Sequence, residues 1–300
     1  MKPPKAITLL VLCTLFWSGN FIVSQFILEE MSPFMLTYLR WLFAVWFLIL
    51  LAHIIEKPQW KKAVNGWTLL IGMGITGIIM YNTILYSALT LTSSINASIV
   101  TALNPGLLVI LSAVFLKEKI SGIQISGILV SLLGVMIVIT GGRITHLFDI
   151  EYNVGDLLML LAISVWSIYS IFGKKLPQIP PITTTAISSC IAVVIMTPFA
   201  LLEGLPFSQM STQTTMGVAY IVIFPSVLSF MFWNMGVRAL GAGRTGIFLN
   251  LVPVFTALIS TILGDPATVV QLTGGIFVFI GVYMTTGMLE RKLNHCQKTG

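Results

Sequence analysis

Long runs of apolar residues dominate the chain and set its pattern. About 20 consecutive apolar residues are needed for a helix to cross the hydrocarbon core of a bilayer, and ten such runs follow one another, separated by short clusters of glycine, proline and charge. These runs predict ten transmembrane helices, at roughly 6–28, 34–55, 66–88, 94–116, 121–141, 155–173, 182–202, 213–237, 244–264 and 268–289. No connection is long enough for a soluble domain, so the predicted fold class is an all-α membrane protein.

The composition supports this class and excludes others. Hydrophobic residues make up 56% of the 300 residues and charged residues only 9%, against about 25% charged residues in soluble domains. A soluble enzyme, a nucleic-acid-binding protein and a disordered regulator are therefore excluded. No acid–base or nucleophile pair lies deep in a run, so we predict no enzymatic activity.

No cofactor or metal is predicted either. The three cysteines and three histidines lie far apart and lack the spacing of metal ligands. Gly72, Gly74 and Gly77 match the spacing of a dinucleotide-binding fingerprint. They lie inside a membrane span without a preceding strand, so they predict close helix packing instead.

Lysine and arginine are distributed unequally between the two sides of the predicted helices. Ten spans place both termini on the same side, and 14 of the 16 basic residues fall on that side. Arg143 alone lies on the opposite side, and Arg40 lies within the second span. Because short cytoplasmic loops carry the excess of Lys and Arg, we predict a cell-membrane protein with cytoplasmic termini.

The two halves of the chain repeat the same features in the same order. Phe16–Ser18 in the first span corresponds to Val165–Ser167 in the sixth, and Pro105 in the fourth corresponds to Pro253 in the ninth. The matched positions are 147 to 151 residues apart. Such an ordered series indicates an internal duplication.

Five spans in each copy have a topological consequence. An odd number makes the second copy enter the membrane from the opposite side, so the predicted domains are two inverted repeats, 6–141 and 155–289, followed by a cytoplasmic tail, 290–300. Inverted repeats are typical of secondary transporters, whose substrate site lies near the membrane midplane between the repeats.

The combination of features resembles one known family. Five plus five spans, tryptophan in the first and sixth helices, Ala-Leu endings of the third and eighth, and mid-helix prolines resemble the EamA-like branch of the drug/metabolite transporter superfamily. The resemblance implies export or exchange of small metabolites, commonly amino acids. It also implies a central cavity lined by helices one, three, four, six, eight and nine, with helices five and ten peripheral.

Polar and aromatic side chains recur at helical spacing on these spans. In the first span, for example, Trp17, Asn20 and Ser24 share one helix face. Two interpretations remain open for such residues, cavity lining and interhelical hydrogen bonding. The predicted substrate-binding residues are Trp17, Asn20, Asn82, Tyr86, Asn96, Trp166, Tyr169, Trp233 and Asn250. The predicted gate or kink residues, for which a simple packing kink is the alternative, are Pro105, Pro225 and Pro253.

Charged residues within the spans are rare. An arginine at the bilayer centre costs about 2.5–3.5 kcal/mol on insertion scales, so Arg40 is expected to avoid lipid. It either pairs with a substrate carboxylate or anchors the second span through the interface or loop carbonyls, and its place about a turn and a half from the span's outer end favours anchoring. All ten acidic residues lie at span ends, in loops or in tails, which disfavours proton antiport of a lipophilic cation.

The predicted function is therefore secondary transport. We expect a small-molecule substrate, with export of small metabolites, amino acids or related polar solutes by alternating access, through facilitated diffusion or exchange. The alternatives within the same fold are an uptake facilitator and a broad-specificity drug exporter. The lipid bilayer is the expected environment, nucleic acid is excluded as a partner, and the oligomeric state stays open.

Overall fold

A computed structural model describes the architecture of most of the chain. It describes residues 3–60, 66–92, 97, 100–140, 142, 153–176, 178–206, 210–262 and 268–285. These residues form helices and turns, and no strand occurs among them. The prediction of an all-helical protein is confirmed for this part of the chain.

Seven helices are long and apolar enough to cross a membrane, and three further apolar helices are shorter in the described residues. The long ones are α1 (Pro3–Ile27), α2 (Pro33–Glu56), α3 (Trp67–Leu89), α6 (Val154–Lys174), α7 (Pro181–Glu203), α8 (Thr212–Leu240) and α9 (Ala242–Ile262). The shorter ones are α4 (Asn104–Leu116), α5 (Gly122–Thr140) and α10 (Val269–Thr285). The protein is thus a multi-span membrane protein.

Local sequence explains where several helices begin. Ser32 precedes α2, and its hydroxyl oxygen accepts a hydrogen bond from the Met35 amide at 3.0 Å, with Pro33 in the first helical position. Asn153 and Asp156 form a reciprocal capping box at the start of α6. These caps satisfy amide groups that the helix itself leaves unpaired.

Two helices contain a π-helical segment at corresponding positions. In α3 the segment is Gly74–Met80, and in α8 it is Val222–Leu228, so their starts are 148 residues apart. Asn82 donates to the Gly77 carbonyl at 3.0 Å, and Ser226 donates to the Ile221 carbonyl at 2.7 Å. In both cases a side chain donates to the carbonyl five residues earlier, where the regular backbone hydrogen bonds of the α-helix are shifted by one residue. Such π-bulges are frequent at functional sites.

Prolines interrupt the regular helix near α4 and within α9. A turn at 102–103 comes before α4, whose first turn contains Pro105. In α9 the 3-10 turn Ile247–Asn250 comes before the part that contains Pro253. Proline removes one amide donor and disfavours helical geometry in the residue before it. The predicted span 94–116 thus contains a turn at 102–103, and residues 94–96, 98 and 99 of that span lie outside the described residues.

Corresponding helices of the two halves make corresponding packing contacts. α1 packs against α8 and α9, and α6 packs against α3 and α4. α2 packs against α7, and α5 packs against α10. Gly134 of α5 lies so close to α10 that a Cβ atom there would approach the Gly274 carbonyl oxygen to 2.6 Å. Glycine is required where two helix backbones approach this closely.

Two carboxylates tie α2 to α7 at both ends. Glu56 at the end of α2 accepts hydrogen bonds from the amides of Ile182 and Thr183, at 2.9 and 2.7 Å, and so caps α7. Glu203 at the end of α7 accepts a short hydrogen bond from the Ser32 hydroxyl, at the start of α2. The two acids are 147 residues apart, and each one serves the N-terminus of the other helix.

The two ends of the bundle differ in charge. Lys174 donates to the Arg238 carbonyl at 3.2 Å, and Arg238 donates to the Ile179 carbonyl, next to the α7 terminus that Glu56 caps. We call this the basic end. At the opposite end, Glu30 accepts from the Ser211 amide at 3.0 Å, and this hydrogen bond lowers the pKa of the Glu30 carboxyl below its ordinary value.

Candidate functional site

Aromatic rings from four helices, α1, α2, α6 and α8, meet in the middle of the bundle. The Trp17 and Trp166 rings are 5.1 Å apart in an edge-to-face arrangement, and the Trp17 and Trp233 rings are 5.5 Å apart. Phe230 lies 5.3 Å from Trp166 and 4.7 Å from Trp41. The central aromatic cluster consists of Trp17, Trp41, Trp166, Tyr169, Phe230 and Trp233, all buried.

The indole N–H groups of this cluster are only partly used. Trp17 donates to the Pro225 carbonyl at 3.2 Å, and Trp233 donates to the Ser170 hydroxyl at 3.0 Å. The Nε1 atoms of Trp41 and Trp166 are buried and have no hydrogen-bond partner among the described residues. Buried donors are normally paired, so these two are available to an acceptor in the cluster.

A buried arginine lies beside the cluster. Arg40 is 1% exposed. Its Nε donates to the Ser226 hydroxyl at 2.8 Å, and its Nη1 donates to the Asn82 side-chain oxygen at 2.9 Å and to the Tyr86 hydroxyl at 2.5 Å. The Tyr86 hydroxyl in turn donates to the Asn20 side-chain oxygen at 3.0 Å. These contacts link helices α1, α2, α3 and α8.

The arginine network and the aromatic cluster share a boundary. The guanidinium carbon of Arg40 lies 5.5 Å from the centre of the Trp41 ring and 5.8 Å from that of Tyr86. Such distances allow an attraction between the cation and the ring faces. The centre of the bundle therefore combines one positive charge, amide and hydroxyl groups, and a set of packed rings.

The structure brings seven predicted site residues together and places Asn250 apart from them. Trp17, Asn20, Asn82, Tyr86, Trp166 and Trp233 all belong to the cluster or to the Arg40 network. Tyr169 also joins the cluster, and its hydroxyl accepts from Asn234 at 2.7 Å. Asn250 instead donates to the Ser131 hydroxyl of α5 at 3.0 Å. Asn96 lies outside the described residues.

Sequence reasoning missed part of this site. Trp41 and Asn234 were not among the predicted residues, and α2 was not expected at the cavity. The available signal was the position of Trp41 directly after the one arginine inside a span. Arg40 itself bonds side chains in the bundle, whereas anchoring was expected to use the interface or loop carbonyls.

Two cavities lie on either side of the centre. The basic-end cavity has a volume of about 290 Å³ and is lined by Glu118, Lys119, Lys174 and Arg244 among others. The opposite-end cavity, at the other end of the bundle, has a volume of about 170 Å³, and Phe21, next to Asn20, is part of its lining. The expected central cavity is closed in this conformation, because the aromatic rings occupy the space in contact with one another.

The carboxylates of the described residues stay at the helix ends. Glu118 at the basic end accepts from the Ala242 and Gly243 amides, both at 3.3 Å. Asp156 at the opposite end accepts from the Asn153 amide at 2.8 Å and from the Thr92 hydroxyl. Arg40 therefore has no carboxylate beside it in the part of the chain that the structure describes.

These features define a class of protein: a helical membrane protein with a buried polar and aromatic centre between two cavities. The model of the EamA-like transporter family matches residues 4–140 and 153–287, which is most of the chain. The chain therefore belongs to the EamA-like transporter family. The expectations of a non-enzymatic transporter in a membrane, with a small-molecule substrate, are confirmed at this level.

Individual relatives agree with this assignment. The chain is 31% identical over 239 residues to "Uncharacterized transporter YyaM" of Bacillus subtilis, covering 79% of this chain and 77% of that protein. It is 26% identical over 290 residues to "Probable amino-acid metabolite efflux pump" of Salmonella typhimurium, covering 92% and 93%. A crystal structure with 21% identity and a TM-score of 0.71 covers 97% of this chain and 99% of that chain, which shows a shared fold.

Proposed function

We propose that the protein is a secondary transporter that exports small metabolites, amino acids or related polar solutes, by alternating access across the cell membrane. The observation that carries this proposal is the closed polar and aromatic centre between two cavities at opposite ends of the bundle. A site closed between two vestibules is what a transporter requires, because its substrate must reach one site from either side in turn. The name of the Salmonella relative supports amino-acid metabolites as the substrate class.

The proposal includes ten transmembrane helices in two inverted repeats, 6–141 and 155–289. Exchanging the halves converts the contact of α1 with α8 into that of α6 with α3, and both contacts exist. The same exchange converts the π-helical segment of α3 into that of α8. It also converts the cap that Glu56 forms on α7 into the cap that Glu203 forms on α2. Trp17 and Trp166, at corresponding positions, touch each other. An axis relating the halves would pass between them.

The substrate site is proposed at this point of contact. The cluster and network members Trp17, Asn20, Asn82, Tyr86, Trp166 and Trp233 would line it, with Tyr169 at its edge. Asn250 now donates to Ser131, away from the cluster. It stays a candidate because a rearrangement of α9 would move it into the site. Separation of the rings would open the space that they now fill.

The prolines are proposed as the points where the helices bend. Pro105 lies in the first turn of α4, and Pro253 lies at the corresponding position of α9, directly after its 3-10 turn. Pro225 lies in the π-helical segment of α8. The Pro225 carbonyl accepts the Trp17 indole, so bending of α8 would move a site residue directly. Broken helices at the repeat interface are typical of transporter binding sites.

The basic end is proposed to face the cytoplasm, with both termini and the tail 290–300 on that side. Lys119, Lys174 and Arg244 line its cavity, and basic residues favour the cytoplasmic side. An exported solute would enter by this cavity and leave by the opposite-end cavity.

Transport in liposomes tests the function. Purified protein is reconstituted, and efflux of each of a panel of labelled amino acids is measured with and without a pH gradient. We expect saturable efflux of at least one amino acid that changes less than about twofold when the gradient is collapsed, since no described carboxylate lies inside the bundle. Absence of flux for every solute with folded protein would contradict transport, and strict dependence on the gradient would contradict facilitated diffusion or exchange.

A further inference from the structure

We propose that Arg40 is the binding residue for a carboxylate group of the transported solute, which makes carboxylate-bearing molecules the substrate class. This inference rests on the proposed transport function. It starts from a charge that the described structure leaves unbalanced. Arg40 carries a formal positive charge, is 1% exposed, and contacts only neutral acceptors among the described residues.

The unbalanced charge is unusual for a buried ion. Removing an ion from water costs several kcal/mol unless a counter-ion and hydrogen bonds compensate. Hydroxyl and amide acceptors supply the hydrogen bonds here but no opposite charge. A buried cation with neutral partners favours an anion strongly, and an ionisable residue within a membrane indicates a functional site.

The guanidinium also has unused donors. An arginine offers five N–H groups, and the hydrogen bonds of Arg40 in the described chain use Nε and Nη1 but not Nη2. Carboxylates are among the groups whose geometry matches the planar guanidinium donors.

The adjoining cluster supplies further donors without acceptors. The buried Nε1 atoms of Trp41 and Trp166 have no partner in the described chain, and Trp41 lies against the guanidinium. Trp41 therefore places an unpaired donor on the residue next to Arg40, and Trp166 adds a second one elsewhere in the cluster. The ring faces of Trp17, Trp166 and Trp233 would contact the rest of the solute, which suits an apolar or aromatic body.

The entrance agrees with this substrate class. Lys119, Lys174 and Arg244 outnumber Glu118 at the basic-end cavity. An excess of positive charge in a cleft raises the local concentration of anions. Carboxylates would therefore be attracted to the proposed cytoplasmic opening before they reach Arg40.

Matched solutes with and without the carboxylate test the inference. The twenty amino acids, lactate and succinate are each compared in proteoliposomes with the corresponding carboxamide, in which a neutral group replaces the carboxylate. L-phenylalanine and L-phenylalaninamide are the first pair, and lactate and lactamide are the pair without an ammonium group. We expect wild-type protein to transport a carboxylate with kcat/KM at least about 30-fold above that of its amide, since only the carboxylate pairs the buried charge of Arg40.

Variants then assign the preference to Arg40. R40Q should lower kcat/KM for the carboxylate about 30-fold or more, mainly through KM, and leave transport of the amide within about threefold. R40K should lie in between, because it keeps the charge but loses the paired donors. Y38F is the matched control on the same helix; it removes only a 3.3 Å contact between the Tyr38 and Thr197 hydroxyls and should match the wild type.

Each remaining outcome decides the question. Equal transport of carboxylate and amide by the wild type, or equal losses of both in R40Q, would overturn the inference and give Arg40 a structural role. Transport of amides alone would overturn the role of Arg40 but leave the proposed transport function intact. Absence of transport for every solute would overturn both proposals. If R40Q does not fold, the wild-type pairs and R40K still decide.

Discussion

Single residues determine how closely the helices approach at the proposed site. Gly77 of α3 faces Tyr169 of α6, and a Cβ atom at Gly77 would overlap the tyrosine ring. Tyr169 is itself packed against Trp166 and Phe230, with ring centres 5.0 and 5.7 Å away. The ring has little freedom to move aside, so the absence of a side chain at Gly77 is part of the site's construction.

Gly77→Ala should therefore destabilise the protein. Overpacking of a tight core typically costs about 1–3 kcal/mol, and we expect a clearly lower melting temperature in detergent. Gly106→Ala is the control, because a Cβ atom there meets nothing within 4 Å. Equal melting temperatures of the two variants would mean that α3 and α6 are not packed as described.

Trp17→Phe tests the aromatic cluster. The substitution removes the hydrogen bond to the Pro225 carbonyl and part of the ring surface that contacts Trp166. We expect KM for the transported amino acid to change by about fivefold or more, since such contacts are worth about 1 kcal/mol each. Trp46→Phe on α2 is the control; Trp46 is 69% exposed on the bundle surface, and its replacement should leave KM unchanged. An unchanged KM in Trp17→Phe would give Trp17 a packing role only.

At the scale of elements, the sequence predicted the helices well and their interruptions partly. Apolar runs determine helices because every backbone polar group must be bonded within lipid. Pro105 and Pro253 marked the places of the breaks, but the sequence did not show that α4 and α9 pack against each other there. The π-helical segments had no clear sequence signal apart from Pro225.

Pro253→Ala tests whether the break in α9 serves transport. Alanine restores a helical donor for the Leu249 carbonyl, so the helix should straighten and stiffen. We expect a several-fold slower maximal transport rate with a smaller change in KM. Pro198→Ala is the control, since Pro198 is an exposed helix-interior proline of α7 outside the duplicated pair. A normal rate in Pro253→Ala would make the break a feature of packing alone.

At the scale of the whole molecule, the proposed inverted repeats would explain why distant residues meet. The correspondence of Trp17 with Trp166 was readable from the sequence, and an inverted repeat brings such pairs to a shared axis. The partners of Arg40 were not readable, because spacing along one helix does not show which neighbouring helix faces it. Trp41 and Asn234 were missed for the same reason.

The most direct test of the account is the sidedness of corresponding loops. Single cysteines are placed at Glu30 and Lys175, which follow α1 and α6, in a background without the three native cysteines that retains transport. Labelling of intact cells with an impermeant maleimide should modify Glu30→Cys and spare Lys175→Cys until the membrane is opened. Modification of both, or of neither, in intact cells would contradict inverted repeats and with them alternating access around the central site.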